Sequence, residues 1–224
     1  MKIPETRRKA LAENGQSPVQ TIAIVANGQI ESLEQTRPLI LRHSRVVAVD
    51  GGLIHCQKMG IRPSLIVGDF DSCPSALLDH YLDVPKITLP KEKDETDLEV
   101  ALREEEGNPI TLYGAWGHRI DHSLANALLL TRWPGTLQME TERELLFAID
   151  KRVKLSCFIG QILSLIPLNG PVSGIATKGL KWELHNGQLD QNFIGISNIC
   201  LKETVEISVK EGSLICCVLK AGSL

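Results

Sequence analysis

Short apolar runs alternate with helix-like segments through the first two thirds of the chain, and this alternation constrains the fold more than any other feature. Segments with apolar residues at helical spacing separate the runs. A β-α-β-α order predicts a mostly parallel sheet with helices on both faces. The apolar runs that predict strands are Thr21–Ala26, Arg45–Val49, Ser64–Val67, Lys86–Leu89 and Ile110–Tyr113.

One of the intervening helices contains a proline. Glu31 to Arg42 has a helical pattern, but Pro38 lies inside it and favours a break or a late start. Further helices are expected up to Met59, over Pro74–Tyr81 and over Asp121–Arg132.

The pattern changes after Pro134-Gly135. From there on, short alternating runs are separated by Gly, Ser and Asn turns, which predicts a small antiparallel β-sandwich. The predicted strands are Leu155–Ile159, Ile162–Ile166, Val172–Thr177, Val205–Val209 and Leu214–Leu219. We therefore expect an N-terminal arm over residues 1–19, an α/β domain over 20–145 and an all-β sandwich domain over 146–224.

Composition excludes several classes of protein. The net charge is −3 and aromatic residues make up only 4%, so nucleic acid is not an expected partner. Residues 155–177 carry no charge and are long enough to span a bilayer, but their Pro-Leu-Asn-Gly-Pro cluster favours two strands and a turn, with no membrane contact. The N-terminus has no apolar signal-peptide core. Six cysteines without a C-x-x-C pair indicate reduced thiols in a cytoplasmic protein.

Acidic residues follow four consecutive predicted strands. Asp50-Gly51-Gly52 follows the second strand, and Asp69 and Asp71 in Gly68-Asp69-Phe70-Asp71-Ser72 follow the third. The later strands add further acids and bases: Lys91, Lys93, Asp94, Asp97, Arg119 and Asp121. Because the carboxyl ends of parallel strands share one edge of a sheet, these side chains are expected in one crevice. Acids suited to Mg²⁺, bases suited to phosphate and glycines for close approach point to metal-assisted phosphoryl transfer.

Each of these motifs also has a structural interpretation. Thr96 and Glu99 match a capping box, and Asp71 or Ser72 could cap the helix that begins near Pro74. Asp121 could be a helix N-cap. In favour of a site, an extended segment would point Asp69 and Asp71 the same way. The structural interpretations also do not explain why acids fall on successive strand ends.

In combination, the motifs resemble those of the thiamine pyrophosphokinase family. The likeness runs from about Thr21 to the C-terminus and leaves out residues 1–19. In the first part it rests on the acidic motifs after the second and third strands, and on two further motifs, Lys93-Asp94-Glu95-Thr96-Asp97 and Gly117-His118-Arg119-Ile120-Asp121-His122. In the second part it rests on Ser164–Leu168, Gly179-Leu180-Lys181-Trp182 and Ser197-Asn198. Ser64 stands where many members carry Asp, a change from which we expect little.

The resemblance implies a fold, a reaction and an assembly. Members transfer the terminal pyrophosphoryl unit of ATP to the hydroxyl of thiamine, giving thiamine diphosphate and AMP, with Mg²⁺ as the expected metal. The implied architecture is an α/β nucleotide domain followed by a β-sandwich, assembled as a homodimer with thiamine at the subunit interface.

The resemblance also implies roles for individual residues. For catalysis it indicates Asp69, Asp71, Asp97 and Arg119, with Asp71 as a candidate proton acceptor. For the metal it indicates Asp69, Asp71, Asp94 and Asp97. For ATP it indicates Asn27, Gly28, Asp50, Gly51, Lys93, Arg119, Asp121, His122 and Asn126. For thiamine it indicates Trp182, Ser197 and Asn198. Without the resemblance, Trp182 would be interpreted as a core aromatic.

Other functions remain open at this stage. A pyrophosphokinase acting on another alcohol, such as a hydroxymethylpterin, would share the acidic edge but not Trp182 with Ser197-Asn198. A Mg²⁺-dependent phosphohydrolase would release AMP or phosphate without an acceptor. A non-catalytic nucleotide sensor would bind ATP without turnover.

Overall fold

The structure is a computed structural model that describes residues 20–222. The predicted N-terminal arm, residues 1–19, lies outside this range. The described chain forms two compact units, one of residues 20–126 with 139–142 and one of residues 127–138 with 143 onward. The predicted domain division after residue 145 stays a prediction.

The first unit is built on a parallel sheet with helices between its strands. Its strands are β1 (Ile22–Val25), β2 (Arg45–Val49), β3 (Leu65–Gly68), β4 (Lys86–Thr88) and β5 (Ile110–Tyr113). The helices are α1 (Leu33–Ile40), α2 (Gly52–Lys58), α3 (Ser75–Asp79), α4 (Asp97–Glu104) and α5 (Ile120–Arg132). The strand order is β5-β1-β2-β3-β4, and each adjacent pair is parallel. The predicted α/β class is confirmed.

Both faces of this sheet are covered. Successive residues of a strand point to opposite faces, and in β1 Ile22 and Ala23 are equally inaccessible to solvent. One face packs with α1, α2 and α3 in a cluster that includes Val25, Ile40 and Leu53. Burial on both faces explains why these strands read as continuous apolar runs.

Pro38 does not break the first helix, and of the two expected effects only the late start is seen. Helix α1 starts late, at Leu33, because Ser32 accepts a hydrogen bond from the backbone N–H of Gln35 and caps it. Pro38 lies inside the helix. Since α1 has only eight residues, the missing proline N–H removes one hydrogen bond near its end and does not break it.

The second unit is antiparallel. Within residues 20–222, nine strands follow β5. The division between the units passes through β6 (Leu137–Glu140), and the other eight are β7 (Glu144–Ile149), β8 (Arg152–Ser156), β9 (Ile162–Ile166), β10 (Val172–Lys178), β11 (His185–Leu189), β12 (Gly195–Ile199), β13 (Thr204–Ser208) and β14 (Leu214–Leu219). Strands β12-β9-β14-β7 are paired in this order, and β11-β10-β13-β8 form a four-stranded sheet. The inner faces share a core that includes Leu163, Ile175 and Val205. The predicted sandwich is confirmed.

The long uncharged segment forms strands β9 and β10 with a turn between them, as the proline and glycine residues predict. Within residues 20–222, no helix is both long and apolar enough to cross a bilayer. All six cysteines are free thiols.

Candidate active site

Three carboxylates from separate segments converge at the carboxyl edge of the parallel sheet. Asp50 follows β2, Asp69 follows β3 and Asp97 opens α4, and one oxygen of each lies within 4.8 Å of the others. All three side chains are partly buried. The sheet therefore brings together acids that are 19 and 28 residues apart along the chain.

A strained backbone holds Asp50 in this group. Its φ is 46°, a left-handed conformation that acidic and amide residues adopt more readily than most. The N–H of Asp50 donates to the carbonyl of Val67 at 2.9 Å, and Asp50 Oδ1 accepts from the N–H of Phe70 at 3.4 Å. Gly68 leaves room for this carboxylate, because a Cβ at residue 68 would collide with Asp50 Oδ1. Gly68 and Asp50 therefore form one structural unit.

The segment from Asp69 to Asp71 is a turn and not the extended strand that the sequence predicted. Phe70 has a φ of 62°, and the N–H of Asp71 donates to Asp69 Oδ1 at 3.0 Å. Asp71 is exposed, and its carboxylate accepts from Ser72 Oγ at 3.0 Å. The turn separates the two acids: Asp69 joins the three-acid group and Asp71 does not. The catalytic and metal roles of Asp71 stay predictions.

Lys93 neutralises part of the negative charge of the three-acid group. Its Nζ lies 2.8 Å from Asp97 Oδ1, and it also donates to the carbonyl of Pro90 at 3.0 Å. Asp94, the next residue, is exposed and lies outside the three-acid group. A lysine fixed beside the acids suits a site that accepts phosphate oxygens together with a cation.

The helix that carries Asp97 has the predicted capping box. Thr96 Oγ1 accepts from the N–H of Glu99 at 3.2 Å, and Glu99 Oε2 accepts from the N–H of Thr96 at 3.0 Å. Asp97 is therefore the first residue of a helix whose N-terminus is held by both hydrogen bonds of the capping box.

Mutual repulsion and burial perturb the acids. Burial, together with a hydrogen bond that protonated Asp50 donates to Asp97 and with the negative charge of Asp97, raises the pKa of Asp50 to about 7. In contrast, the N–H of Asp71 and the nearby lysines lower the pKa of Asp69. The hydrogen bond that Lys93 donates to Asp97 raises the pKa of Lys93. Near neutral pH Asp50 is therefore only partly ionised, and a bound cation would favour its ionised form.

The three-acid group fits a divalent metal. Its donors are all hard carboxylate oxygens, and they lie close enough to share one ion. Burial is the main cause of the raised pKa of Asp50 and repulsion by Asp97 adds to it, and a bound cation would favour the ionised carboxylates against both effects.

The loops after β1 and β5 lie against each other. The N–H of Gly28 donates to the carbonyl of Gly114 at 2.5 Å, and a Cβ on Gly28 would collide with the carbonyls of Gly114 and Trp116. His55 Nε2 lies 2.9 Å from the carbonyl of Gly28. The side chain of Asn27, which is exposed, lies against Gly51. The structure therefore brings the predicted residues Asn27, Gly28 and Gly51 into one region.

The basic motif after β5 is exposed. Arg119 forms a two-point ion pair with Asp121, at 2.6 and 3.1 Å, which lowers the pKa of Asp121 to about 2. Helix α5 begins at Ile120, so Asp121 lies in its first turn and is not the N-cap. Asn126 Nδ2 donates to the carbonyl of Ala115 at 2.8 Å, and His122 is exposed.

In the second unit the predicted thiamine residues are neighbours. The Trp182 side chain is 55% exposed, so it is not a core aromatic. Lys181 Nζ lies 4.6 Å from the centre of its ring, which shows that the ring face accepts a cation. Asn198 forms hydrogen bonds with the backbone of Trp182, and Ser197 is exposed beside it.

Sequence reasoning gave no role to His55, or to Lys181 and Ser164 of the motifs that carry the resemblance, although all three support the predicted residues. His55 reaches Gly28, and Ser164 Oγ accepts from the N–H of Ser197 at 3.0 Å. Their signals were weak, because a single histidine in a helix and a serine in a strand are common in any fold. Lys181 could have been noticed as a cation next to an aromatic residue.

Fold and site together define an enzyme class: a parallel α/β unit with an acidic, lysine-flanked edge that suits phosphoryl transfer, followed by an antiparallel β-unit. Comparisons with known proteins identify the family. Residues 36–142 match the family model described as thiamin pyrophosphokinase, catalytic domain, and residues 147–214 match the model of its vitamin B1 binding domain.

Individual relatives agree with the family models. Thiamine pyrophosphokinase 1 of Arabidopsis thaliana is 26% identical, with 79% of each chain covered. Thiamine pyrophosphokinase of Bacillus subtilis is 27% identical, covering 88% of this chain and 97% of the relative. The crystal structure of thiamin pyrophosphokinase from Geobacillus thermodenitrificans superimposes with a TM-score of 0.80 at 28% identity, covering 91% of this chain and 99% of that one.

The chain belongs to the thiamine pyrophosphokinase family. It is thus a transferase of the diphosphokinase type, and the family makes thiamine diphosphate from thiamine with ATP as co-substrate. The resemblance found in the sequence is confirmed.

Proposed function

We propose that this chain transfers the pyrophosphoryl group of ATP to thiamine at the acidic edge of its parallel sheet, with Mg²⁺ as the metal. The observation that carries the proposal is the convergence of Asp50, Asp69 and Asp97 on one point beside Lys93. The hydroxyl oxygen of thiamine forms a bond to the β-phosphorus, and the bond from that phosphorus to the α–β bridging oxygen breaks. AMP leaves with the bonding electron pair, and the hydroxyl proton passes to a base.

Asp50, Asp69 and Asp97 would hold the metal directly, with Asp71 and Asp94 contributing through water. When bound, Mg²⁺ neutralises phosphate oxygens and stabilises negative charge that develops on the leaving group. Lys93, held next to Asp97, would contact a phosphate oxygen on the same side.

Other residues bind ATP and handle the proton. The exposed guanidinium of Arg119 can exchange its partner Asp121 for a phosphate without losing a buried contact. Asp71 carries an exposed carboxylate, and we assign it the hydroxyl proton. The remaining nucleotide contacts are assigned to Asn27, Gly28 and Gly51, and to His122 and Asn126 of helix α5.

Thiamine binds through the second unit in this proposal. The thiazolium cation stacks on the indole of Trp182, which already attracts the ammonium of Lys181. Ser197 and Asn198 belong to the same thiamine site. The predicted homodimer would place thiamine between the acidic edge of one subunit and Trp182 of the other. Exposed apolar side chains of the second unit, including Phe193 and Ile196, support association. A cytoplasmic location stays a prediction.

Product analysis tests the proposal. The protein is incubated with ATP, Mg²⁺ and thiamine, and products are identified by mass; thiamine diphosphate and AMP in equal amounts are expected. Thiamine monophosphate with ADP would contradict the transfer of a pyrophosphoryl group. AMP formed without a thiamine product would favour the phosphohydrolase, and turnover of a hydroxymethylpterin in place of thiamine would favour the other pyrophosphokinase.

A further inference from the structure

The side-chain amide of Asn198 forms hydrogen bonds with both the N–H and the carbonyl of Trp182. Asn198 Nδ2 donates to the carbonyl of Trp182 at 2.8 Å, and Asn198 Oδ1 accepts from the N–H of Trp182 at 3.1 Å. The same oxygen also accepts from the N–H of Ile199 at 2.9 Å. An amide oxygen has two lone pairs and an amide nitrogen two N–H groups. Only one N–H of Asn198 therefore remains unused by these contacts.

This contact extends a pairing between two segments. The N–H of Lys181 donates to the carbonyl of Ile199 at 2.8 Å, and Leu180 forms a bridge with Cys200. Trp182 is the next residue along, where Asn198 supplies both a donor and an acceptor from its side chain. The side-chain amide of Asn198 thus takes the place of one backbone peptide group in the pairing of these two segments.

A bulge aims Asn198 at this position. The pairing of β12 with β9 shifts between Gly195 and Asn198, and Ser197 has a φ of 58°. Ser164 Oγ holds the bulge through the N–H of Ser197 at 3.0 Å. An irregular strand with a left-handed non-glycine residue persists only when surrounding contacts fix it, and such sites are often functional.

We infer that Asn198 is a positioning residue that fixes the backbone of Trp182, so that the indole is set for the thiazolium ring, and that it does not recognise the pyrimidine. The inference rests on the proposed thiamine site. Trp182 is 55% exposed, so core packing constrains its indole little, and the two hydrogen bonds with Asn198 fix the backbone from which the indole projects. Loss of those contacts would leave the indole free to move and would weaken stacking with any thiazolium ligand.

A double-mutant cycle with two ligands tests the inference. Affinities for thiamine and for a 3-methyl-5-hydroxyethyl thiazolium, which lacks the pyrimidine, are measured for the wild type, Asn198→Ala, Trp182→Ala and the double variant. We expect Asn198→Ala to weaken both ligands by a similar factor, roughly tenfold, and to have almost no effect when Trp182 is already absent. Gln188→Ala, which removes another exposed strand amide, is the matched control and should change neither affinity.

Asn198→Asp separates the two roles further. It keeps the acceptor but places a carboxylate oxygen opposite the carbonyl of Trp182. If Asn198 positions Trp182, Asn198→Asp should reduce ligand affinity as much as Asn198→Ala does. Recognition of the pyrimidine amino group predicts that aspartate, a good acceptor, retains affinity, and this result would overturn the inference. A loss confined to thiamine, with the thiazolium unaffected, would overturn it too.

A measurement without ligand keeps the test independent of the proposed function. In protein with Trp116 and Trp133 replaced by Phe, Trp182 is the remaining tryptophan. Asn198→Ala should lower its fluorescence anisotropy and increase its quenching by acrylamide, at an unchanged circular dichroism spectrum. Unchanged anisotropy would show that Asn198 does not position Trp182. A wild type that binds neither ligand would instead refute the thiamine site itself.

Discussion

Asp97 is the side chain on which the contacts of the acidic edge converge. It lies with Asp50 and Asp69, and it forms an ion pair with Lys93. Asp97→Asn keeps the shape but removes a charge, so turnover should fall by more than roughly a hundredfold and half-saturation should need more Mg²⁺. Steady-state rates across a Mg²⁺ titration measure both effects. Glu92→Gln, a charge removed from an exposed position in the same loop, is the control; an equal loss there would mean that general charge is responsible.

Asp50 should make the metal-free protein less stable as the pH rises. Its pKa is raised from 3.8 to about 7, so between these values the folded state binds the proton that the unfolded state has lost. Stability must therefore fall as the pH rises from about 4 to about 7. Asp50→Asn, which tolerates the left-handed backbone, should remove this loss and be more stable by about 1–2 kcal/mol at pH 8, after allowance for solvent screening.

Thermal unfolding in EDTA from pH 4 to pH 8 measures this effect. The advantage of Asp50→Asn should be mostly lost near pH 4, because the unfolded state of the wild type, with a pKa of 3.8, then begins to bind the proton that the folded state already holds. If the two proteins differ by the same amount at every pH, Asp50 does not titrate as described.

The sequence predicted where the acids would lie but not which of them would meet. The parallel strand order was enough to put Asp50, Asp69 and Asp97 at one edge. The exclusion of Asp71 depends on the positive φ of Phe70, and aromatic residues give no signal for a left-handed turn. The turn is held by the local hydrogen bond from Asp71 to Asp69 and by a tertiary one from Phe70 to Asp50, and the sequence shows no sign of the second.

Helix α4 links stability to the metal site through its capping box. Thr96→Ala should cost about 1 kcal/mol, because it removes the acceptor for the N–H of Glu99. It should also raise the Mg²⁺ requirement, since Asp97 is the first residue of the helix. Thr96→Ser retains the hydroxyl and should restore both properties. Unfolding by urea and a Mg²⁺ titration are the measurements, and a destabilised variant with an unchanged Mg²⁺ requirement would separate the cap from the site.

Whether a strand could be predicted from the sequence depended on whether its side chains are buried or exposed. Ile110–Tyr113 and Leu214–Leu219 were predicted with their observed bounds, because both are apolar and buried. Strand β11, with the sequence His-Asn-Gly-Gln-Leu, is mostly exposed and has no apolar alternation to reveal it. Strand β12 was missed because its glycine and its bulge interrupt the alternating pattern.

The two parts of the proposed site lie on different units of the chain. Asp97 is in the parallel α/β unit and Trp182 is in the antiparallel unit. In the proposed homodimer, each active site takes its acids from one subunit and its tryptophan from the other. A protein with Asp97→Asn and a protein with Trp182→Ala would then each be inactive alone for a different reason.

Mixing these two inactive proteins under conditions that allow subunit exchange should regenerate activity. A mixed dimer has one site in which both parts are damaged and one site in which both are intact. Random exchange makes about half of the dimers mixed, so activity should approach roughly a quarter of the wild-type value, by the symmetry of an isologous dimer. Native mass spectrometry gives the mixed fraction, to which the recovered rate must be proportional. If mixed dimers form and no activity returns, both parts of each site come from the same chain, because every chain in the mixture then carries a damaged site.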